Sequence, residues 1–271
     1  MKYQLLDSGF EQKLEQFGPY VFSRPCSQAV WAPSLPKTEW KKAHASFTRE
    51  PSNRWTGKSL PSHWVIEHES VKFKLEPTDF GHVGMFPEHG ELWNWLRPRL
   101  SSQSKMLNLF AYTGGATFAA AQMGSSVCHV DASKTAVAWA RENCALNHLE
   151  KAPIRWIVDD VVKFLTREVK RKSLYNGIIL DPPTFGRGNR GEIFKIETHL
   201  VEILKLCSEL LADGPSFLIL SSHTPGYTPL VLHHLLQQCM DNRNGVLEKG
   251  ELTIKGPLDL PSGTYARWQG E

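Results

Sequence analysis

Residues 105–131 read KMLNLFAYTGGATFAAAQMGSSVCHVD, and this stretch predicts the class of the fold. An apolar run of strand length leads into a turn with two adjacent glycines and then into an Ala-rich helical stretch. A second apolar run follows and ends at Asp131. A strand, a glycine turn, a helix and a second strand are the unit from which parallel sheets are built. We therefore expect a parallel sheet with helices on both faces, an α/β doubly wound domain.

The same alternation continues along the rest of the chain. Further strands are predicted in IRWIVDD, NGIILDPP and PSFLILSSH, and a helix in SKTAVAWARENCALNHL after Asp131. A later helix carries one apolar stripe formed by Ile196, Leu200, Ile203, Leu204, Cys207 and Leu211. The tail offers a helix at 228–240 and strands near 246–254 and 264–268. All these segments belong to one predicted domain, residues 86–271.

The N-terminal third has a different character. Residues 1–60 are dense in Pro and Trp, so short strands and loops are expected rather than regular helices. Residues 64–75 (WVIEHESVKFKL) alternate between apolar and polar side chains, which indicates a strand pair. We predict a small β-rich region over residues 1–85 that helps to place a substrate. Its tryptophans and basic residues could form an RNA platform or a packed core, and core packing is favoured.

Composition limits the class of protein. Hydrophobic residues make up 41% and charged residues 22% of the chain, as in globular proteins, and the net charge is +3. The five cysteines form no CxxC pair and the histidines show no metal-ligand spacing, so we expect no metal site and a reducing compartment. We find neither a signal peptide nor a run long enough to span a membrane. The expected location is the cytoplasm.

Ligands of open parallel sheets bind beyond the carboxyl ends of the strands, so the residues there carry the chemistry. The turn at Gly114 lets a ligand approach the backbone and opens a helix N-terminus, although a tight turn alone is common. Asp131 lies about 20 residues after the glycine turn, a spacing typical of ribose-binding carboxylates. Asp159 and Asp160 end the next strand, and Asp160 is favoured as the acceptor for an adenine amine. Helix capping is the alternative for each of these acids.

The segment Asp181-Pro182-Pro183-Thr184-Phe185 is the most specific signal in the chain. Two prolines stiffen the turn after the strand. A carboxylate, a fixed carbonyl and an aromatic ring then face the space beside a bound cofactor. That set can hold and stack a flipped, planar base. We therefore predict Asp181, Pro182 and Phe185 as the catalytic residues.

The chain resembles the class I S-adenosylmethionine-dependent methyltransferases, most closely the group related to bacterial large-subunit ribosomal RNA base methyltransferases. The likeness is carried by LLDSGFEQKLEQFGPY, FGHVGMFPEHGELWNW, LNLFAYTGG, HVDASKTAVAWARENC, IRWIVDD and ILDPPTFGRG. It implies a seven-stranded, mostly parallel Rossmann-like methyltransferase sheet and S-adenosylmethionine as cofactor. Phe110 and Tyr112 stand where the usual pattern has glycine, and the usual Leu-Asp-Gln-Arg of the 85–89 loop is replaced by other residues.

The resemblance also implies roles for individual residues. Tyr112, Thr113 and Gly114 would lie along the methionine part of the cofactor, Asp131 on the ribose and Asp160 on the adenine. Asp181 and Pro182 would border the site of methyl transfer. The full set of predicted cofactor contacts is Phe86, Asn108, Tyr112, Thr113, Gly114, Asp131, Ala132, Ser133, Asp160 and Asp181.

One absence bears on the chemistry. Methylation of cytosine at carbon 5 requires a thiolate nucleophile, which in related enzymes follows the fifth strand. Here that segment reads Leu220-Ser221-Ser222-His223-Thr224. The resemblance implies an RNA base as the substrate, ribosomal RNA in particular, and the missing cysteine predicts methylation at nitrogen. Arg187 and Arg190 are candidates to hold substrate phosphates. A protein or small-molecule methyltransferase and a non-catalytic cofactor-binding factor remain as alternatives.

Overall fold

The computed structural model describes residues 2–49, 53–188 and 191–270. The chain forms two compact units. The first comprises Met1–Gly90 together with Thr253–Ser262, and the second comprises Glu91–Leu252 together with Gly263–Glu271. The short segment 253–262 therefore belongs with the N-terminal residues, although it is distant from them in sequence.

The first unit is built from two sheets. Its strands are β1 (Tyr3–Gly9), β2 (Gln12–Phe17), β3 (Tyr20–Pro25), β4 (Ala45–Thr48), β5 (Arg54–Gly57), β6 (Trp64–His68) and β7 (Val71–Leu75), with the one-turn helix α1 (Lys37–Trp40) between β3 and β4. Strands β1 to β5 pair in chain order, antiparallel except for the parallel β3–β4 pair. Strands β6 and β7 form a separate antiparallel pair, as the alternation in residues 64–75 predicts.

Tryptophans pack the first unit. Trp64 is buried and its ring stacks on Phe22 at 5.6 Å. The indole N–H groups of the four tryptophans all donate to acceptors of this unit, at 2.9–3.1 Å: Trp31 to Ser8, Trp40 to Asp7, Trp55 to Thr78 and Trp64 to Phe17. Rings anchored in this way act as packing groups, since a buried indole needs its hydrogen-bond partner.

The second unit contains the predicted alternation. Its strands are β8 (Lys105–Leu109), β9 (Ser126–Asp131), β10 (Ile154–Val158), β11 (Gly177–Leu180), β12 (Phe185–Arg187), β13 (Ile193–Lys195), β14 (Phe217–Ser222), β15 (Gly245–Ile254) and β16 (Leu260–Gly270). Its helices are α2 (Gly90–Leu96), α3 (Gly115–Ala121), α4 (Lys134–Leu146), α5 (Val161–Lys170), α6 (Ile196–Leu210) and α7 (Pro229–Cys239). Short 3₁₀ turns occupy Pro87–His89, in the first unit, and Arg97–Arg99, in the second.

Seven strands form the main sheet in the order β10-β9-β8-β11-β14-β16-β15. The first five of these strands run parallel, and β16 pairs antiparallel to β14. The predicted fold class, a mostly parallel seven-stranded sheet with a small N-terminal β region, is therefore confirmed. The chain leaves β8 toward β9 and β10 on one side, and later adds β11 and β14 on the other. Strands β8 and β11 therefore flank the switch point at which ligands bind in such sheets.

Apolar side chains fix this arrangement. The central parallel strands β11 and β14 are buried on both faces, so their sequences are almost continuously apolar. The predicted stripe of α6 is buried in the same core, with Ile203, Leu204 and Cys207 fully inaccessible. The remaining two strands, β12 and β13, form a separate hairpin after the Asp181 turn. No pattern in the amino-acid sequence predicts this hairpin.

Candidate active site

The glycine turn after β8 adopts a backbone that side chains rarely accept. Phe110 and Tyr112 have φ values of 53° and 47°, and Gly114 has a φ of 98°. A Cβ atom on Gly114 would lie 2.7 Å from the ring of Phe118, so only glycine fits that position. The two aromatic residues occupy left-handed conformations that ordinarily favour glycine. The resemblance places them at glycine positions, and the backbone explains why glycine is usual there.

Side chains from neighbouring elements hold this turn in place. The amide of Tyr112 donates to Asp131 Oδ2 at 2.8 Å. The buried amide of Asn143, on α4, donates to the carbonyl of Thr113 at 3.0 Å. Gly115 then begins α3, and a Cβ there would meet the indole of Trp93 at 2.2 Å. The turn is thus fixed by one carboxylate, one amide and close packing.

Asp131 is the last residue of β9, and both of its carboxylate oxygens accept hydrogen bonds from backbone amides. Oδ2 accepts from Tyr112, while Oδ1 accepts from the amide of Ser133 at 2.8 Å. Ser133 itself caps α4 by accepting from Ala136 at 3.2 Å, and Ala132 lies between the two. Burial raises the pKa of Asp131, although the two backbone hydrogen bonds oppose that effect. Asp131 therefore joins the glycine turn to the start of α4.

The two acids after β10 have structural partners. Asp160 caps α5 by accepting from the amide of Lys163 at 3.0 Å. Asp159 accepts from the amide of Asp160 at 2.9 Å and forms an ion pair with Arg167. The capping alternative is thus realised at Asp160. Capping engages one carboxylate oxygen, so an adenine contact by Asp160 stays a prediction.

Asn108 lies inside the core. Its side chain donates to Thr117 Oγ1 at 2.9 Å, and Thr117 is also 2.9 Å from the ring of His129. Burial lowers the pKa of His129 to about 3, so its imidazole is neutral at physiological pH. This network joins β8, β9 and α3 beneath the glycine turn. The Asn108 side chain is 5% exposed and turned toward Thr117 in the core, and its contact with the cofactor stays a prediction.

Asp181 lies at the end of β11, on the other side of the switch point. Its preceding residue Leu180 pairs with Leu109 of β8 and with Leu220 of β14. Ser221 donates to Asp181 Oδ1 at 2.8 Å, and His223 Nδ1 lies 3.4 Å from the same oxygen. Pro182 is buried and Pro183 is exposed. Asp181 is therefore an oriented, partly exposed acceptor beside the glycine turn.

The remaining predicted residues are distributed as follows. Phe185 and Arg187 lie on β12, and the Arg187 guanidinium is 5.8 Å from the Phe185 ring centre. Arg190 lies outside the described residues. Phe86 belongs to the first unit, where its ring is 5.1 Å from that of His82. The structure thus brings Tyr112, Thr113, Gly114, Asp131 and Asp181 to the carboxyl ends of adjacent strands.

Three supporting contacts were missed by the sequence reasoning. They are the Asn143–Thr113 hydrogen bond, the Ser221–Asp181 hydrogen bond, and a hydrogen bond of 2.8 Å between the hydroxyls of Thr184 and Thr224. The position of the segment after β14, at the carboxyl end of a strand next to β11, was a usable signal for Ser221 and Thr224.

Comparison with known proteins identifies close relatives. The family described as S-adenosylmethionine-dependent methyltransferase matches residues 26–238. The crystal structure of the SAM-dependent methyltransferase from Agrobacterium tumefaciens is 39% identical, with a TM-score of 0.95, over 100% of this chain and 91% of that one. The M. jannaschii tRNA m1G37 methyltransferase shares the fold at 13% identity and a TM-score of 0.59, over 100% of this chain and 74% of that one.

A curated relative adds a more specific name. The ribosomal RNA large subunit methyltransferase K/L of Shewanella sp. (strain ANA-3) is 38% identical over 153 residues, which is 55% of this chain. The chain matches only 21% of that relative's length. Across the described ranges, none of the helices has the length and apolar character needed to cross a bilayer.

Proposed function

Since the chain belongs to the S-adenosylmethionine-dependent methyltransferase family, we propose that it transfers a methyl group to a nitrogen of an RNA base, in ribosomal RNA. The observation that carries the proposal is Asp181, held by Ser221 beside the glycine turn and followed by two prolines and an exposed Phe185. The relative named as a ribosomal RNA large subunit methyltransferase supports the substrate class. A ribosomal RNA substrate places the reaction in the cytoplasm.

The glycine turn and the end of β9 suit the cofactor. When bound, S-adenosylmethionine supplies a methyl group activated by a positively charged sulfur. The left-handed backbone at Tyr112 and Gly114 brings main-chain atoms to the ligand edge, next to the positive N-terminus of α3. Asp131, at the end of β9, is placed to accept from ribose hydroxyls, with Ala132 and Ser133 alongside. Asp160, at the end of the next strand, is the proposed adenine acceptor.

Asp181 would orient the base. An amino or ring nitrogen of the base attacks with its lone pair, so the enzyme chiefly supplies proximity and orientation. A carboxylate that accepts a hydrogen bond from the N–H of the base directs that lone pair toward the methyl group and can take the proton released on transfer. Phe185 is 49% exposed and can stack on a flipped base.

Cysteine chemistry fits poorly with this site. Burial raises the pKa of Cys128 to about 12, and it also raises the pKa values of Cys144, Cys207 and Cys239. Cys26 belongs to the first unit, and burial raises its pKa too. All five cysteines fall within the described ranges, and each is held in the thiol form, which is a poor nucleophile. Attack at nitrogen requires no thiolate.

The test is methyl transfer to RNA. Total RNA from a strain lacking this gene is incubated with the purified chain and radiolabelled S-adenosylmethionine, with wild-type RNA as the control. We expect label in the mutant-strain RNA alone, and nucleoside digestion should place it on a ring or amino nitrogen. Asp181→Asn should lower the transfer rate by about 10²-fold or more, since it removes the oriented carboxylate.

Single Cys→Ser variants at the five positions serve as matched controls and should keep turnover. A folded cysteine variant without activity would contradict attack at nitrogen. Cofactor binding without label in any RNA would instead favour a protein or small-molecule substrate.

A further inference from the structure

The hairpin formed by β12 and β13 has one exposed face. Side chains alternate across a strand, so Phe185 and Arg187 point to the same side as their cross-strand partners Lys195 and Ile193. All four are exposed, with Phe185 at 49% and Ile193 at 54%. We call these four residues the hairpin face. Phe194 points to the other side and is buried.

The buried side anchors the hairpin to the ligand edge. The ring of Phe194 lies 5.1 Å from that of Phe110 in the glycine turn, and 5.4 Å from His199 on α6. The amide of Ile196 donates to the carbonyl of Thr184 at 3.2 Å, which closes the base of the hairpin. Lys163 of α5 donates to Glu192 at 2.7 Å. The hairpin is therefore fixed in place beside the glycine turn and Asp181.

The composition of the hairpin face fits single-stranded nucleic acid. Proteins bind such strands by stacking bases on aromatic rings and by placing cations along the phosphates. The hairpin face offers one aromatic ring, one branched apolar side chain and two cations. In a duplex the bases stack on each other, so the two apolar side chains would gain little from it. Strands of three residues extend about 10 Å, which suits one or two nucleotides.

We infer that the hairpin face binds an unpaired segment of RNA, with Phe185 stacked on the target base and with Arg187 and Lys195 on the phosphates beside it, so the substrate is a single strand. This inference rests on the proposed function, since it assigns the substrate of the same site. The hairpin begins directly after Asp181-Pro182-Pro183, and therefore a strand that places its target base at Asp181 passes over it. Charge complementarity between the phosphates and Arg187 and Lys195 favours RNA as the occupant.

The test compares two double variants in a binding assay. A labelled single-stranded oligoribonucleotide and its duplex are titrated with the full chain over a range of salt concentrations. Arg187→Ala with Lys195→Ala removes the two cations of the hairpin face. Lys170→Ala with Lys205→Ala removes two exposed cations from helices α5 and α6 and serves as the matched control. Thermal unfolding verifies that each variant remains folded.

We expect the wild type to prefer the single strand. Each phosphate contact adds about 0.7 to the slope of log affinity against log salt for single strands, so the hairpin variant should lose about 1.4 and the control nothing. Phe185→Ala should weaken single-strand binding by about 5-fold to 150-fold.

Equal salt slopes in the two double variants, or a wild type that prefers duplex, would overturn the inference. If the wild type methylates RNA but the hairpin variants bind as it does, only the inference fails. If it methylates no RNA, the proposed function fails, and the inference falls with it.

Discussion

Asp131→Ala removes a carboxylate that joins the glycine turn to the start of α4. Two backbone amides, those of Tyr112 and Ser133, lose their acceptors at once. Hydrogen bonds to charged groups contribute about 1.5–3 kcal/mol each, so the two together contribute about 3–6 kcal/mol. Burial opposes the charge on Asp131 and raises its pKa, which reduces that benefit. We therefore take the lower bound of about 3 kcal/mol.

This loss should appear in cofactor affinity, because in the variant the binding of the cofactor must itself order the turn. About 3 kcal/mol corresponds to a factor of about 150 in a dissociation constant, and a lost ribose contact would add to it. Asp131→Asn keeps one acceptor oxygen but turns a donor NH2 toward the second backbone amide, so it should lose more than half of this free energy. Calorimetric titration with S-adenosylhomocysteine measures the affinity, and Asp213→Ala, which removes an exposed carboxylate after α6, is the control.

Hydrogen exchange separates the two roles of Asp131. In the Asp131→Ala variant the amides of Tyr112 and Ser133 should exchange faster even without ligand, because they have lost their acceptors. Wild-type affinity together with unchanged exchange at these amides would refute the assignment of Asp131 as the residue that orders the turn. Faster exchange together with wild-type affinity would support the structural role of Asp131 and contradict its contact with the ribose.

Two further predictions concern stability. Burial opposes the charge of Glu168, but hydrogen bonds from Tyr175, Arg171, Ser173 and Arg155 outweigh it and lower its pKa. The charged Glu168 carboxylate therefore stabilises the fold above its unfolded pKa of about 4.3, and this effect is lost as pH falls through the lower folded pKa. Glu168→Gln should lower the free energy of unfolding in urea by about 1–3 kcal/mol at neutral pH, a modest loss because both arginines are half exposed. A difference between variant and wild type that persists at strongly acidic pH would contradict this. Gly115→Ala should destabilise the chain by about 1–3 kcal/mol despite the better helix propensity of Ala, since the added Cβ meets Trp93 at 2.2 Å; a raised melting temperature would refute the clash.

The parallel sheet could be predicted because its signal is local. The signal consists of apolar runs of strand length and of helical stripes such as that of α6, and both depend on residues close together in sequence. The apolar positions of these patterns predict which side chains are buried. The carboxyl ends of the strands could be located in the sequence in the same way. The fold class therefore predicted the positions of Asp131 and Asp181 at the ligand edge. Asn108 shows the limit of this reasoning. This polar residue lies inside β8, and its side chain donates a hydrogen bond to Thr117 in the core.

Features that depend on distant pairing could not be predicted. The Ser221–Asp181 hydrogen bond joins residues 40 positions apart, and it exists only because β14 lies next to β11. The parallel β3–β4 pair in the first unit has no local signature, since parallel and antiparallel strands share one alternation. The hairpin of β12 and β13 has strands of three residues, too short for any period to be read.

The aromatic residues of the glycine turn connect these observations. A residue other than glycine in the left-handed region carries a strain of about 1–2 kcal/mol, so Phe110 and Tyr112 together need compensation from their side chains. Phe110 obtains it from Phe194 of the hairpin, and the ring of Tyr112 lies 6.2 Å from that of Trp139 on α4. Glycine at position 110 would form the turn without strain but could not contact the hairpin. The strained residue therefore joins the turn proposed to face the cofactor to the hairpin proposed to hold RNA.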